Sequence, residues 1–451
     1  MKIDDGRAER TWRAGLFAPL IVFAALTTPA LTTPAAAQSF ADYTQTQDPL
    51  FQRRVTRPSD LGNTQAYAAG ASAQDIEAAI GAYEQLLFYN PKLARTRFEL
   101  GVLYFRLGSY EMARSYLESA LAMPDMPPEL RHRAQDLIDI STKKLFPDQF
   151  TGFVQTGLRY QTNASVGPGS QAILASGFNY NNRFAAQADA NWFGAFGLNY
   201  VHDFENQYGT TFEASAIGYD AQQFTLHQYD VGLLEVRAGP RFGFNTGTRD
   251  AFSVKPYLVA AGATLANAAY YGGLGGGLTV HRDLGAFALD PYVEVVQQSF
   301  RNSTFYPLAS GLSGTLTTVA LQASGPLYGG IGFQTKIGYG HDNANFNPYG
   351  YNVYGADLAL PWNFSFPGDG RLWTLTPIVG VSYWQYAAPD PTIDPATTPH
   401  TTEWRAGVGL DIPIWRQIAL GTLVQYRADV SNIPAFTMKD WQFSAGPTFR
   451  F

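Results

Sequence analysis

From about residue 147 to the end of the chain, apolar and polar residues alternate with a period of two, the signature of strands wetted differently on their two faces. The last stretch shows it plainly. Trp441, Phe443, Ala445, Pro447, Phe449 and Phe451 share one face, and Gln442, Ser444, Gly446, Thr448 and Arg450 share the other. The same reading predicts about fourteen strands, near 150–162, 190–203, 211–221, 229–244, 251–265, 271–282, 287–300, 311–324, 330–342, 352–366, 372–386, 402–414, 417–429 and 438–451. An even count returns both ends of such a sheet to one side.

Two solvents could explain the apolar face: a second sheet, as in a sandwich, or lipid. The connections separate the cases. Short ones such as "ENQYG", "NTGTRD", "PGDGR" and the turn near Arg416 alternate with longer ones such as "NASVGPGSQAILASGFNYNNR" and "AAPDPTIDPATTPHTT". That alternation belongs to transmembrane barrels, with short periplasmic turns and long outer loops. Trp192, Tyr200, Trp373, Tyr383 and Trp441 near strand ends would form interfacial girdles. A barrel also accounts for the polar faces, which it encloses. Phe451, the terminal aromatic, resembles the assembly signal of bacterial outer-membrane proteins, which implies the barrel assembly machinery and outer-membrane lipids as partners.

Residues 75–146 carry a different period. Ala79, Tyr83, Leu86 and Pro91, then Leu100, Gly101 and Tyr104, Gly108 and Tyr110 at a turn, and Ala113, Leu117 and Ala120 resemble tetratricopeptide repeats, units of two antiparallel helices with a period of ~34 residues. Small residues stand where helices approach, and Pro127 and Pro128 start a capping helix through about Lys144. The fold class expected is therefore α+β in two domains: a short repeat domain followed by an antiparallel transmembrane β-barrel of about fourteen strands.

Composition adds compartment and exclusions. Arg7, Arg10 and Arg13 precede an apolar run that ends at Ala35-Ala36-Ala37, the layout of a secretory signal peptide over 1–37. Residues 38–74 are polar and aperiodic, as expected of a linker or N-terminal arm. Of 451 residues 15% are charged and 14% aromatic, with 44 glycines and no cysteine, so there is no disulfide framework and no thiolate metal site. Net charge is -6, which offers no basic footprint for nucleic acid. The domain plan is then 1–37 signal peptide, 38–74 linker, 75–146 periplasmic repeats and 147–451 outer-membrane barrel.

This layout resembles the surface lipoprotein assembly modifier family, with "GLRYQTNASVGP" in the first strand, carrying Arg159, Tyr160 and Asn163, as the most specific stretch. The resemblance implies an outer-membrane translocation protein that delivers protein or lipoprotein cargo to the cell surface, the cargo docking on the repeats. Exopolysaccharide exporters combine similar parts, and a passive porin is the third reading.

No enzyme constellation is present. His132, His202, His227, His281, His341 and His400 are scattered without metal-ligand spacing, and "GGLGGGL" lacks the strand-to-helix context of a phosphate cradle, so neither catalytic, metal nor cofactor residues are assigned. The dipeptide His341-Asp342 reads as an ion pair at a rim. Alternation instead sends Arg159, Glu235, Arg237, Arg241, Lys255, Glu294, Lys336, Asp357, Glu403, Arg405, Asp411, Arg427 and Arg450 into the lumen, with a mild basic excess. These are the candidates for a polar transport path, or for a salt-bridge network that stiffens the wall. On the repeats, Arg95, Arg97, Arg106 and Arg114 are candidates for a docking face.

Overall fold

The computed structural model describes residues 73–451 except 92, 169–184, 205, 207–208, 246–250, 285–286, 329, 366–370, 392 and 416. The signal peptide and nearly all of the linker expected from the sequence lie outside the described residues.

Among the described residues four helices come first: α1 (Ala73–Tyr89), α2 (Ala94–Arg106), α3 (Tyr110–Leu121) and α4 (Pro128–Lys144). Helix α2 is buried on two sides. Leu100 and Leu103 pack with Ala79 and Ile80 of α1, while Phe98 and Val102 join Leu117 and Ala120 of α3 and Ala134, Leu137 and Ile138 of α4. The expected packing residues Ala79, Leu100, Ala113 and Ala120 are buried, and Tyr83 and Tyr104 pack partly buried beside them. Gly101 is needed for that approach, because a Cβ there would stand 2.5 Å from Leu117 Cγ. Gly108 has φ +81, and behind it the Ser109 amide donates to the Tyr104 carbonyl at 3.0 Å and the Gly108 amide to Phe105 at 3.1 Å. This paired closure ends α2 and turns the chain into α3.

The second unit is one closed antiparallel sheet. Its strands are β1 (Asp148–Gln161), β2 (Asp189–Asp203), β3 (Thr211–Gln223), β4 (Val231–Phe244), β5 (Phe252–Leu265), β6 (Ala268–Asp283), β7 (Ala288–Phe300), β8 (Gly314–Pro326), β9 (Gly332–Ala344), β10 (Tyr351–Ala359), β11 (Trp362–Phe364), β12 (Trp373–Tyr386), β13 (His400–Pro413), β14 (Ile418–Ser431) and β15 (Met438–Arg450). Sequence neighbours pair except β10 and β11, β1 pairs with β15, and β10 pairs with β12 to complete the ring. Segments β10 and β11 are one stave interrupted at Leu360 and Pro361. Ala359 faces Ile378 and Trp362 faces Leu375, so the register continues unshifted across the break. Fifteen segments therefore make fourteen staves.

Alternation places the faces as the strand period requires. On β13, Trp404 and Val408 are 54% and 45% exposed on the outer face, while Glu403 between the staves is 3% exposed. With strands ~4.8 Å apart and tilted by ~40°, fourteen staves close a ring of about 14 Å mean radius before side chains are added.

Two expectations need correction. Residues 311–313 are not strand: Ala309–Leu312 form a 3-10 turn, and β8 begins at Gly314, because Ala309 and Leu312 are drawn into an apolar cluster. The long and short connections also alternate less regularly than expected. At the end opposite the chain termini, only the connections after β1, β7 and β12 are long, whereas β5 and β6 are joined by Ala266 and Asn267 alone, both at positive φ in a tight hairpin.

Candidate functional site

The interior of the barrel is the chemically distinctive surface, and its charges are organised in two groups. On the wall from β3 to β7, Arg237 bridges Glu235 at 3.1 Å and Glu294 at 3.1 Å, and the Tyr257 hydroxyl donates to Glu294 at 2.9 Å. Nearer the chain-terminal end, Arg241 and Lys255 converge on Glu213, Lys255 at 2.9 Å. Lys336 of β9 stands over the Tyr292 ring at 5.4 Å. Two strands separate β4 from β7, so Arg237 and Glu294 meet only because both lean across the concave face.

The second group occupies the opposite wall, from β10 to β14. Arg405 pairs with Glu403 and with Asp357, the latter at 2.7 Å, and also donates to the Ser382 hydroxyl at 3.2 Å. Arg427 reaches Glu403 at 2.9 Å and Asp429 at 2.8 Å. Farther along, Arg450 of β15 spans β14 to Asp411 of β13 at 3.0 Å. Arg159 of β1 lies apart from both groups, with its guanidinium 5.1 Å from the Phe193 ring and 5.4 Å from that of Tyr219.

Alternation thus located every candidate lumen residue on the enclosed face, but not its partners. Glu213, Asp429, Asp342 and Asp440 also face inward and were missed; the last three share strand and parity with Arg427, Lys336 and Arg450, whereas β3, which carries Glu213, held no named residue. With these acids added, the basic excess expected from the sequence disappears. The glycines of "GGLGGGL" make room for aromatics: a Cβ at Gly277 would meet the Tyr257 ring at 2.5 Å, and one at Gly273 the Tyr271 hydroxyl at 2.3 Å.

The expected rim pair His341-Asp342 does not exist. The two residues point to opposite faces, as neighbours on a strand must. His341 turns outward to Asn352, with Nδ1 and Oδ1 3.0 Å apart, and Asp342 is buried inside.

At the end away from the chain termini, part of the mouth is roofed by apolar side chains. The segment between β7 and β8 folds inward, burying Tyr306, Ala309 and Leu312 against Tyr270, Phe300, Tyr351 and Trp384. The Tyr306 hydroxyl donates to the Gln228 carbonyl at 2.7 Å, pinning the segment to the β3–β4 connection.

In the helical unit the candidate arginines are partly committed. Arg97 donates to the Pro91 carbonyl at 2.9 Å and to the Ser119 hydroxyl at 3.0 Å, and Arg114 pairs with Glu118 at 3.5 Å. Burial raises the Glu99 carboxyl above its ordinary range, opposed by Arg95, Arg133 and Arg106 around it. Tyr104 and Tyr116 stack at 5.4 Å with both hydroxyls turned to Glu84. Burial and this carboxylate push the Tyr104 phenol up to about 12.

The fold and this lining define a closed β-barrel with a charge-paired interior. No protein-family model matches the chain, and no curated protein matches it. Among solved structures it is similar to the outer membrane protein OpdK of Pseudomonas aeruginosa, with 8% identity over 67% of this chain and 98% of that one and a TM-score of 0.34. A BenF-like porin from Pseudomonas fluorescens Pf-5 gives 10% identity, 67% and 99% coverage and a TM-score of 0.33. The anion-selective porin from Comamonas acidovorans gives 10% identity, 67% and 99% coverage and 0.32. Likenesses this distant define neither family nor function for the chain.

Proposed function

We propose that the chain is a bacterial outer-membrane channel for small polar solutes. The outward face supports a lipid environment: Leu258, Leu274, Ile337 and Val379 are more than half exposed on the outer side of the barrel. No described helix is long and apolar enough to cross a membrane, so any spanning falls to the strands. The observation that carries the channel reading is the Arg237–Glu294 pair. It leans across the concave wall, and with the Arg405 group on strands β10 to β14 it lines the enclosed face with paired charges, a polar lining suited to small polar solutes.

Lipoprotein or protein translocation, and glycan export, need a docking platform as well as a path. The packing of α1 to α4 is compatible with tetratricopeptide-type stacking, and a periplasmic docking role for this unit remains part of the proposal, with the barrel assembly machinery as the partner for insertion. Planar bilayers separate the readings. Purified full-length protein should conduct ions without cargo or energy source, and a chain that inserts yet stays silent under all voltages would contradict the channel.

A further inference from the structure

Inside the barrel, beneath the aromatic roof, one carboxylate has nothing to do with either ionic group. Asp342 is 2% exposed, and neither of its oxygens has a hydrogen-bond partner. No ion pair reaches it among the described residues. Two staves away Gln298 is 1% exposed, and its amide oxygen also lacks a partner, while its amide nitrogen lies toward the Tyr271 hydroxyl. Buried polar groups are rarely left this way, and a lone buried carboxylate is among the most costly arrangements a fold can keep.

The sheet register places both groups on one stretch of the inner wall, two staves apart. Asp342 faces Leu316 on β8 and Tyr351 on β10, and Gln298 faces Gly314 on β8 and Gly273 on β6. Both positions flanking Gln298 are glycines, so neither adjacent strand covers it with a side chain of its own at that level. Tyr271 leans across Gly273, its hydroxyl placed where a Cβ would be. Tyr351 packs on Trp384 with ring centroids 5.0 Å apart, and Tyr270, Phe300 and Tyr306 close the space toward the mouth.

Acceptors without donors, enclosed by aromatic rings, describe the complement of a cation. Asp342 Oδ1 and Oδ2 and Gln298 Oε1 are three acceptors, matching the three N–H donors of a primary ammonium, and the ring faces favour a cation that carries an apolar body. Gln298 Nε2 lies toward the Tyr271 hydroxyl, which leaves the amide oxygen as the group offered to the solute. A metal ion fits less well, since no cluster of three ligating side chains occurs among the described residues. We propose that Asp342 and Gln298, under the roof formed by the β7–β8 segment, bind a small primary-amine solute on its way through the lumen. This rests on the channel reading for its purpose, but not for its chemistry.

The test uses the purified full-length protein in detergent, titrated calorimetrically with n-butylammonium chloride, and with potassium chloride and sodium butanoate at matched ionic strength. Saturable binding of butylammonium alone is expected, weakened about tenfold or more in Asp342→Asn, since a hydrogen bond to a charged group is lost. The same substitution should relieve butylammonium block of the current in bilayers. Absence of saturable binding by the unmodified protein overturns the site, whatever the variants do. Equal affinity in a folded Asp342→Asn, or equal binding of potassium, overturns it too. If Asp342→Asn does not fold, Gln298→Leu takes its place under the same criterion. Binding without any conductance would instead overturn the channel and leave the site standing.

Discussion

Arg237 of β4 and Glu294 of β7 meet at 3.1 Å although two strands lie between them. A wall that curves is the only surface on which such a pair can form, and the partners on the far wall repeat the theme. Glu403 is held between Arg405 and Arg427. Glu403→Gln leaves two guanidiniums sharing fewer carboxylates. It should cost roughly 3 kcal/mol, as expected when one member of a buried ionic group is removed, and shift the channel toward anions. Reversal potentials across a salt gradient and the urea midpoint of refolded protein give the two readings. Unchanged selectivity would place Glu403 outside the conducting path.

The faces of β13 can be told apart by charge. Val408→Arg puts a cation against lipid and should cost ~2–4 kcal/mol near the midplane. Gly407 is a poor inward control, because a Cβ there would stand 2.9 Å from the Val424 carbonyl. Gly409 has nothing nearer than 3.8 Å, so Gly409→Arg should insert almost normally. Heat-modifiable migration of membrane fractions measures both, and equal loss would mean that the faces have been exchanged.

The terminal residue closes the ring as well as ending it. The Phe451 amide donates to the Gly152 carbonyl and the Gly152 amide to Phe451, each at 3.0 Å, and the Phe451 ring stacks on Phe449. Deleting Phe451 removes the bonds and the ring, whereas Phe451→Ala removes the ring alone. If the aromatic is an assembly signal, both lower the level of folded barrel in the outer membrane. If only the deletion does so, backbone pairing is what matters.

In the helical unit the Tyr104–Glu84 hydrogen bond requires a protonated phenol. The folded-state value near 12 lies above the ordinary 10, so folding takes up a proton as pH rises through this interval. The bond's contribution is full below pH 10 and lost between about 10 and 12. Helical circular dichroism of the unit should therefore fall more steeply there than in Tyr104→Phe. Parallel profiles would detach Tyr104 from the alkaline transition.

Strand existence and sidedness were legible because a period of two assigns each residue to a face without reference to any other residue. Arg405 inward and Trp404 outward needed nothing more. Partnership was not legible, because Arg237 finds Glu294 only through the register of β4 to β7 and the curvature of the wall. The break at Pro361 was hidden by its unshifted register. The roof was hidden for another reason. Tyr306, Ala309 and Leu312 carry no period, and their burial depends on where a loop folds. Asp342 was misread because its sequence neighbour His341 suggested a pair, while the strand sends the two to opposite faces. In the helices, Gly101 and Gly108 were recognisable from spacing, since close approach and a left-handed turn each demand glycine.

The channel itself is tested most directly by single-channel conductance of the full-length protein and of Arg237→Ala combined with Glu294→Ala. Removing both partners takes away the pair that leans across the concave wall and leaves Glu235 with Lys336 as its nearby cation. The double variant should insert normally and conduct more than the unmodified protein, by roughly a factor of two, with weaker discrimination among small solutes. Conductance and solute preference identical in the two proteins, both inserted, would contradict the assignment of this pair to the path, and the absence of conductance in either would contradict the channel.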